Sequence, residues 1–157
     1  RPRRRALPIA NWSVCFPMKG DAFVLDTNVL ISAALSAESA PAGVTLWVIA
    51  NARLIFAEPT FEEFRSRLWR PKFDKYLTIE RRNQILHDFS AIADWVELDD
   101  AALPVRSRDP DDDMFIRTAI AGSARWLVSG DKDLLEIQGL PSINILSPAD
   151  MLKRISA

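Results

Sequence analysis

Two apolar runs in this chain end in acids. Ala22-Phe23-Val24-Leu25 leads into Asp26-Thr27-Asn28, and Arg125-Trp126-Leu127-Val128-Ser129 leads into Gly130-Asp131-Lys132-Asp133. Between them stand Glu62-Glu63 and the run Asp109-Pro110-Asp111-Asp112-Asp113. Carboxylates brought to one place repel, and some protonate, unless a cation sits among them. Oxygen ligands without nitrogen or sulfur suit Mg²⁺ or Mn²⁺. Such an ion lowers the pKa of a bound water and neutralises charge on a phosphate under attack. One histidine, His87, and one cysteine, Cys15, exclude a zinc site built from several Cys or His ligands. They exclude a Cys–His nucleophile pair as well, unless those two residues meet.

Each acid also has a plain structural reading. Asp111 and Asp113 read as acids at a helix start, where they complement the dipole. Asp26 closes a four-residue apolar run, so it would sit half buried without a partner, which points to function. Asp131, in Ser-Gly-Asp, is similar. Glu62 and Glu63 are not separated by periodicity, because Phe61, Phe64 and Leu68 flank both. His87 falls inside a helical pattern and reads as a surface or packing residue.

The elements that must position these acids alternate along the chain. Short apolar runs predict strands over 22–25, 54–57, 95–98, 125–129 and 143–146. Helical patterns cover 28–37, 41–52, 59–69, 78–93, 111–123 and 132–137, and a last helix runs from Ser147-Pro148 to Ile155. Pro41 suits a first helical turn and Thr78 an N-cap. Strands separated by helices imply an α/β fold: helices on both faces of a central parallel sheet, three layers with about four to five strands. Ligands in such folds bind beyond the carboxyl ends of the strands, which is where Asp26 and Asp131 fall.

The chain has 157 residues, of which 48% are hydrophobic. That suits one folded domain over 21–157 and rules out a disordered chain. No apolar run approaches the ~20 residues of a membrane helix, so a membrane role is not expected and a cytoplasmic place is. The net charge of −1 hides an asymmetry, because Arg1, Arg3, Arg4 and Arg5 precede the first acid, Asp21. From Met18 onward 16 bases face 21 acids. An acidic body binds a polyanion only through a cation or a local basic stripe. Residues 1–20 carry three prolines, a basic cluster and no period. They read as a flexible arm or as an upstream or expression-derived extension, with Met18 a natural start.

Phe23-Val24-Leu25-Asp26-Thr27-Asn28-Val29-Leu30, then Glu63, then the run from Asp109 to Asp113, then Leu127-Val128-Ser129-Gly130-Asp131-Lys132-Asp133-Leu134-Leu135 together resemble a PIN domain. Within that family the chain is most similar to the toxin components of prokaryotic type II toxin–antitoxin systems, relatives of the VapC toxins. The likeness extends to Arg70-Pro71-Lys72 and Ile145-Leu146-Ser147-Pro148. It implies a Mg²⁺- or Mn²⁺-dependent endoribonuclease with an α/β/α fold. The implied acidic quartet is Asp26, Glu63, Asp112 and Asp131, with Asp26, Asp112 and Asp131 as metal ligands. Asp112 is taken over its neighbours because it stands seven residues before Ala119, the family's usual spacing. Thr27, Asn28, Ser129, Asp109 and Asp133 match positions that support the acids. Ala57 departs from the Ser often found at the end of the second strand. The resemblance also implies an RNA substrate, a small antitoxin partner and a homodimer.

Arg65, Arg67, Arg70 and Lys72, interleaved with Trp69, Phe73 and Tyr76, are candidates for contact with nucleic acid, since bases track phosphates and aromatics stack on exposed nucleobases. Their structural reading is a basic helix C-terminus over core aromatics, with Trp69 in the core. Arg106 and Arg108 offer a second basic edge. Trp47, Trp95 and Trp126 suit interfaces or core equally. Metal-activated water does not need a 2′-hydroxyl, so the residues alone leave DNA open. Two other functions remain: a PIN nuclease that processes RNA outside any toxin system, and a haloacid-dehalogenase-type phosphatase. The phosphatase chemistry usually needs a second Asp two positions after the first, where this chain has Asn28, and an Asp where it has Leu135.

Overall fold

The computed structural model describes residues 16–157. Most of the expected N-terminal arm, residues 1–15, lies outside them. Its last residues do not hang free. Met18 N donates to Asp21 Oδ2 at 2.9 Å, and Gly20 N donates to the Asn51 carbonyl at 2.8 Å. The turn between them needs φ of +84° at position 20, which glycine adopts without strain.

Five strands follow: β1 Ala22–Leu25, β2 Arg53–Ala57, β3 Asp94–Val96, β4 Trp126–Val128 and β5 Asn144–Leu146. All neighbours pair in parallel, in the order β3-β2-β1-β4-β5. Seven α-helices join or follow them: α1 Thr27–Leu35, α2 Ala40–Asn51, α3 Glu58–Leu68, α4 Ile79–Ile92, α5 Asp113–Ala121, α6 Lys132–Leu135 and α7 Pro148–Ile155. This is the expected three-layer α/β/α arrangement, with five strands. No single helix among the described residues is long and apolar enough to cross a membrane.

Side-chain alternation assigns the two faces. Phe23, Leu25, Leu54, Phe56, Trp126 and Val128 point into the larger core, which Val29, Val44, Phe64, Ile85 and Met151 complete from α1, α2, α3, α4 and α7. Ala22, Val24, Ile55 and Leu127 point the other way, onto Phe115, Ile116 and Ala119 of α5 and Leu134 of α6. Strands covered on both faces read as unbroken apolar runs, which is why AFVL and LIFA are legible in the sequence. Trp126 belongs to the core and stacks on Phe23 at 6.2 Å between ring centroids. Trp47 meets Phe23 edge-on at 5.8 Å. Trp95, on the edge strand, stays half exposed while packing on Phe61 at 5.2 Å.

Most boundaries shift by a residue or two from expectation, and three of the shifts have a visible cause. The strand expected over 95–98 is Asp94–Val96, because its ladder ends where Ala57 pairs with Val96 and β2 turns into α3. The helix expected from 111 starts as a 3₁₀ turn, Pro110–Asp112, and becomes α-helical at Asp113. Asp109 produces that turn by accepting the Asp111 N–H at 3.0 Å. The helix expected over 132–137 ends at Leu135, where Ile137 N bonds the Leu134 carbonyl and tightens the last turn.

The β2–α5 contact leaves no room at Gly122. A Cβ there would lie 2.6 Å from Cγ2 of Ile55, which is buried. A Cβ at Gly130 would meet nothing within 4 Å among the described residues beyond its chain neighbours. Gly122→Ala is therefore expected to destabilise by about 1–3 kcal/mol, while Gly130→Ala stays within about 0.5 kcal/mol of wild type. Urea denaturation midpoints measure both, and equal midpoints would contradict the close contact with Ile55.

Candidate active site

The strand order reverses at β1, with β2 on one side and β4 on the other. The chain ends of β1 and β4 leave the sheet side by side, at the crevice where α/β proteins bind ligands. Leu25 pairs with Val128, and Asp26 N donates to the Val128 carbonyl at 2.9 Å. Asp26 and Ser129 are thereby forced together. Ser129 Oγ donates to Asp26 Oδ2 at 2.7 Å and accepts from Asp131 N at 3.0 Å. One buried hydroxyl thus ties both strand ends. The expectation that Asp26 is half buried and unpartnered needs correction, since it is 4% exposed and holds the Ser129 bond. Nothing within the first strand reveals that β4 would bring its partner.

Asp131 caps α6 by accepting the Asp133 N–H at 2.9 Å, which sets both carboxyls on the first turn of that helix. Asp112 comes from the last residue of the 3₁₀ turn ahead of α5 and is buried. Oxygens of Asp112, Asp131 and Asp133 lie within 4.8 Å of one another. Asp133, expected only to support the acids, stands with the candidate ligands. Asp109 is spent on capping Asp111 N. Asp113 accepts the Ser107 N–H at 2.9 Å and so also ties down the preceding loop.

The electrostatics of this cluster are unfavourable as it stands. Burial holds the Asp112 carboxyl up at about 7, helped by a proton shared with Asp131 and by the charges of Asp131, Asp26 and Asp109. With both carboxyls ionised there is no such proton, and Asp112 Oδ2 is buried without a hydrogen-bond partner among the described residues. Burial also raises Asp26. The Ser129 hydroxyl and the Thr27 N–H act against that rise, while the charges of Glu63 and Asp131 add to it. An orphaned buried oxygen, three converging carboxylates and an all-oxygen donor set fit a Mg²⁺ or Mn²⁺ ion.

α3 separates the two glutamates that periodicity could not. Glu62 points outward and meets Arg65 at 3.5 Å. Glu63 points toward the start of α1, where Thr27 Oγ1 donates to its Oε2 at 2.9 Å. Arg67, one turn on, meets Glu63 Oε1 at 2.6 Å and donates to Asn28 Oδ1 at 3.1 Å. Of the four basic candidates, Arg67 is thus the one paired with Glu63. Arg65 lies over the Phe61 ring and Lys72 over the Phe73 ring, at 5.5 and 5.1 Å from the centroids. The Arg70 carbonyl accepts from Arg82 at 3.5 Å. Trp69, expected in the core, is partly exposed beneath the Arg82 guanidinium. The Glu63–Arg67 contact has an i,i+4 spacing that the sequence displays openly, yet spacing does not say that this pair faces the other acids. His87 is exposed on α4, as expected.

The PIN domain family model matches residues 22–133, which contain every acid of the candidate site. No curated protein matches the chain. Among solved structures it is similar to VapBC2 from Rickettsia felis bound to a DNA fragment from their promoter. That likeness has a TM-score of 0.54 and 13% identity over 80% of this chain and 98% of the other. It is also similar to PAE2754 from Pyrobaculum aerophilum, with a TM-score of 0.50 and 14% identity over 87% and 90%. At these identities the likeness is one of fold.

The raised Asp112 carboxyl has a thermodynamic consequence in metal-free protein. Unfolded, the group titrates near 3.8; folded, near 7. The folded state therefore takes up a proton as pH falls between those values, and the penalty of the ionised form is fully present above about pH 7. Stability from this group rises on acidification from pH 8 toward 5. Asp112→Asn is expected to remove that slope and to raise Tm at pH 8 by roughly 2–6 °C, the equivalent of about 1–2 kcal/mol. Melting curves in EDTA at pH 5 and 8 measure it; a lower Tm for the variant at pH 8 would sink the account.

Proposed function

The chain belongs to the PIN-domain family, and we propose that it is a divalent-metal-dependent endoribonuclease acting as the toxin of a toxin–antitoxin pair. The observation that carries this reading is the set of buried or half-buried carboxylates at the β1–β4 edge, with the buried Asp112 Oδ2 holding no hydrogen bond among the described residues when ionised. PIN domains are nucleases, and the fold shared with VapBC2 supports the toxin role and a protein antitoxin. A homodimer and a cytoplasmic place belong to the same reading, and the phosphatase alternative falls with family membership.

Asp112, Asp131 and Asp133 would hold Mg²⁺ or Mn²⁺, with Asp26 adding its charge from the strand end. When bound, the cation supplies a water of lowered pKa and countercharge for the phosphodiester under attack. The protein's own residues do the positioning. Ser129 fixes Asp26 against the Asp131 loop, Thr27 orients Glu63, and Asp109 and Asp113 shape the turn that presents Asp112. Glu63 either joins the metal ligands or orients a water. Arg67 offers a forked, permanently charged donor to a phosphate on an otherwise acidic body.

The test is cleavage of labelled single-stranded RNA in Mg²⁺, Mn²⁺ or EDTA by wild type and Asp26→Asn. Asparagine keeps the shape and an acceptor for Ser129 Oγ. Cleavage should need the metal and fall at least about 100-fold in the variant, the scale of losing one group aimed at developing charge. Equal cleavage by both proteins would assign the activity to a contaminant. Induced wild type should also arrest growth where Asp26→Asn does not. Metal-dependent cleavage without growth arrest would favour an RNA-processing role outside a toxin system.

A further inference from the structure

Arg67 divides its guanidinium between two neighbours. Nη2 meets Glu63 Oε1 at 2.6 Å, and Nη1 donates to Asn28 Oδ1 at 3.1 Å. The other oxygen of Glu63 takes the Thr27 hydroxyl at 2.9 Å. Both oxygens of Glu63 are therefore engaged by the protein itself. Asp112, Asp131 and Asp133 gather their oxygens within 4.8 Å without it. Surface Glu–Arg pairs at this spacing are weak and yield readily. This pair is anchored at both ends, by Thr27 and Asn28, and its side chains are 18% and 32% exposed. It is close enough to the acids for the Glu63 charge to act on Asp26. The guanidinium that neutralises Glu63 is also the group best shaped to grip a phosphate.

We infer that Arg67 is a positioning residue that holds Glu63 out of the cation cluster until a substrate phosphate draws its guanidinium away. The inference rests on the nuclease reading above. Phosphate binding then releases Glu63 to the metal site, and by linkage each ligand tightens the other. Thr27 and Asn28 hold the free-state arrangement: Thr27 keeps Glu63 oriented toward the strand end, and Asn28 keeps Arg67 near it.

The test is a double-mutant cycle read by Mn²⁺ affinity, measured by calorimetry without nucleic acid. Its four proteins are wild type, Arg67→Met, Glu63→Gln and the double variant, and melting curves check that each is folded. Arg67→Met should bind Mn²⁺ at least about threefold tighter than wild type, and the same change on the Glu63→Gln background should have less than about half that effect. A single-stranded oligonucleotide with non-cleavable linkages should tighten Mn²⁺ binding in wild type and lose most of that effect in Arg67→Met. Equal tightening in both backgrounds would assign the effect to a lost positive charge acting through space and overturn the inference. Unchanged affinity in Arg67→Met would reduce the clamp to a structural role. Failure of all four proteins to bind Mn²⁺ would instead overturn the metal reading on which the inference stands. If Arg67→Met melts early, Arg67→Gln replaces it in the cycle.

Discussion

The hydrogen-bonded adjacency of β1 and β4 is the constraint on which the site depends. Parallel pairing of Leu25 with Val128 brings the ends of both strands to one point of the sheet edge. Asp26 follows one strand, and Ser129 and Asp131 follow the other, so a carboxylate, a hydroxyl and a second carboxylate must share a small volume. The Ser129 hydroxyl makes this tolerable by donating to Asp26 while accepting from the Asp131 backbone. It does not remove the charge. Burial and mutual repulsion keep Asp26 and Asp112 above the ordinary carboxylate range, a penalty that a cation among the carboxylates would relieve.

The scaffold tolerates this because the cores on both sheet faces do not depend on the site. Phe56, Phe61, Phe64 and Phe89 pack edge-on and stacked beneath α3 and α4, and Ile116, Leu127 and Leu134 are fully buried under α5 and α6. α3 serves both purposes. Its inner residues, Phe61, Phe64 and Leu68, anchor the helix, and that docking carries Glu63 and Arg67 to the start of α1. The same orientation leaves Glu62 and Arg65 outside. A site with buried, underpaired carboxylates is a local violation of good packing, which is where function is expected to reside.

Several elements were readable because their signals are local. AFVL and LIFA are apolar on both faces and bounded by polar residues. Thr78 accepts an N–H bond at the start of α4, as its position suggested, and Ser147 does the same where α7 starts. Other features depended on neighbours. β3 lies at the sheet edge, is half exposed and lasts only as long as β2 offers partners. The start of α5 was obscured because Asp109, Asp111, Asp112 and Asp113 look alike in sequence. Their different tasks come from which backbone N–H or open space each side chain meets.

The alternation of strands and helices, the oxygen-only donor set and the order of the acids along the chain are all local properties of the residues. These are written in periodicity and residue type, which a local reading captures. Tertiary structure alone decided that Glu63 rather than Glu62 turns to the acids, that Asp133 stands with Asp112 and Asp131, that Ser129 bridges to Asp26, and that Arg67 is the base placed against the site. Each of these depends on strand order and helix docking, which bring together residues 36 positions apart in Thr27–Glu63 and 103 apart in Asp26–Ser129. Local period carries no information about such contacts, because they arise only when buried faces from distant parts of the chain pack on one sheet.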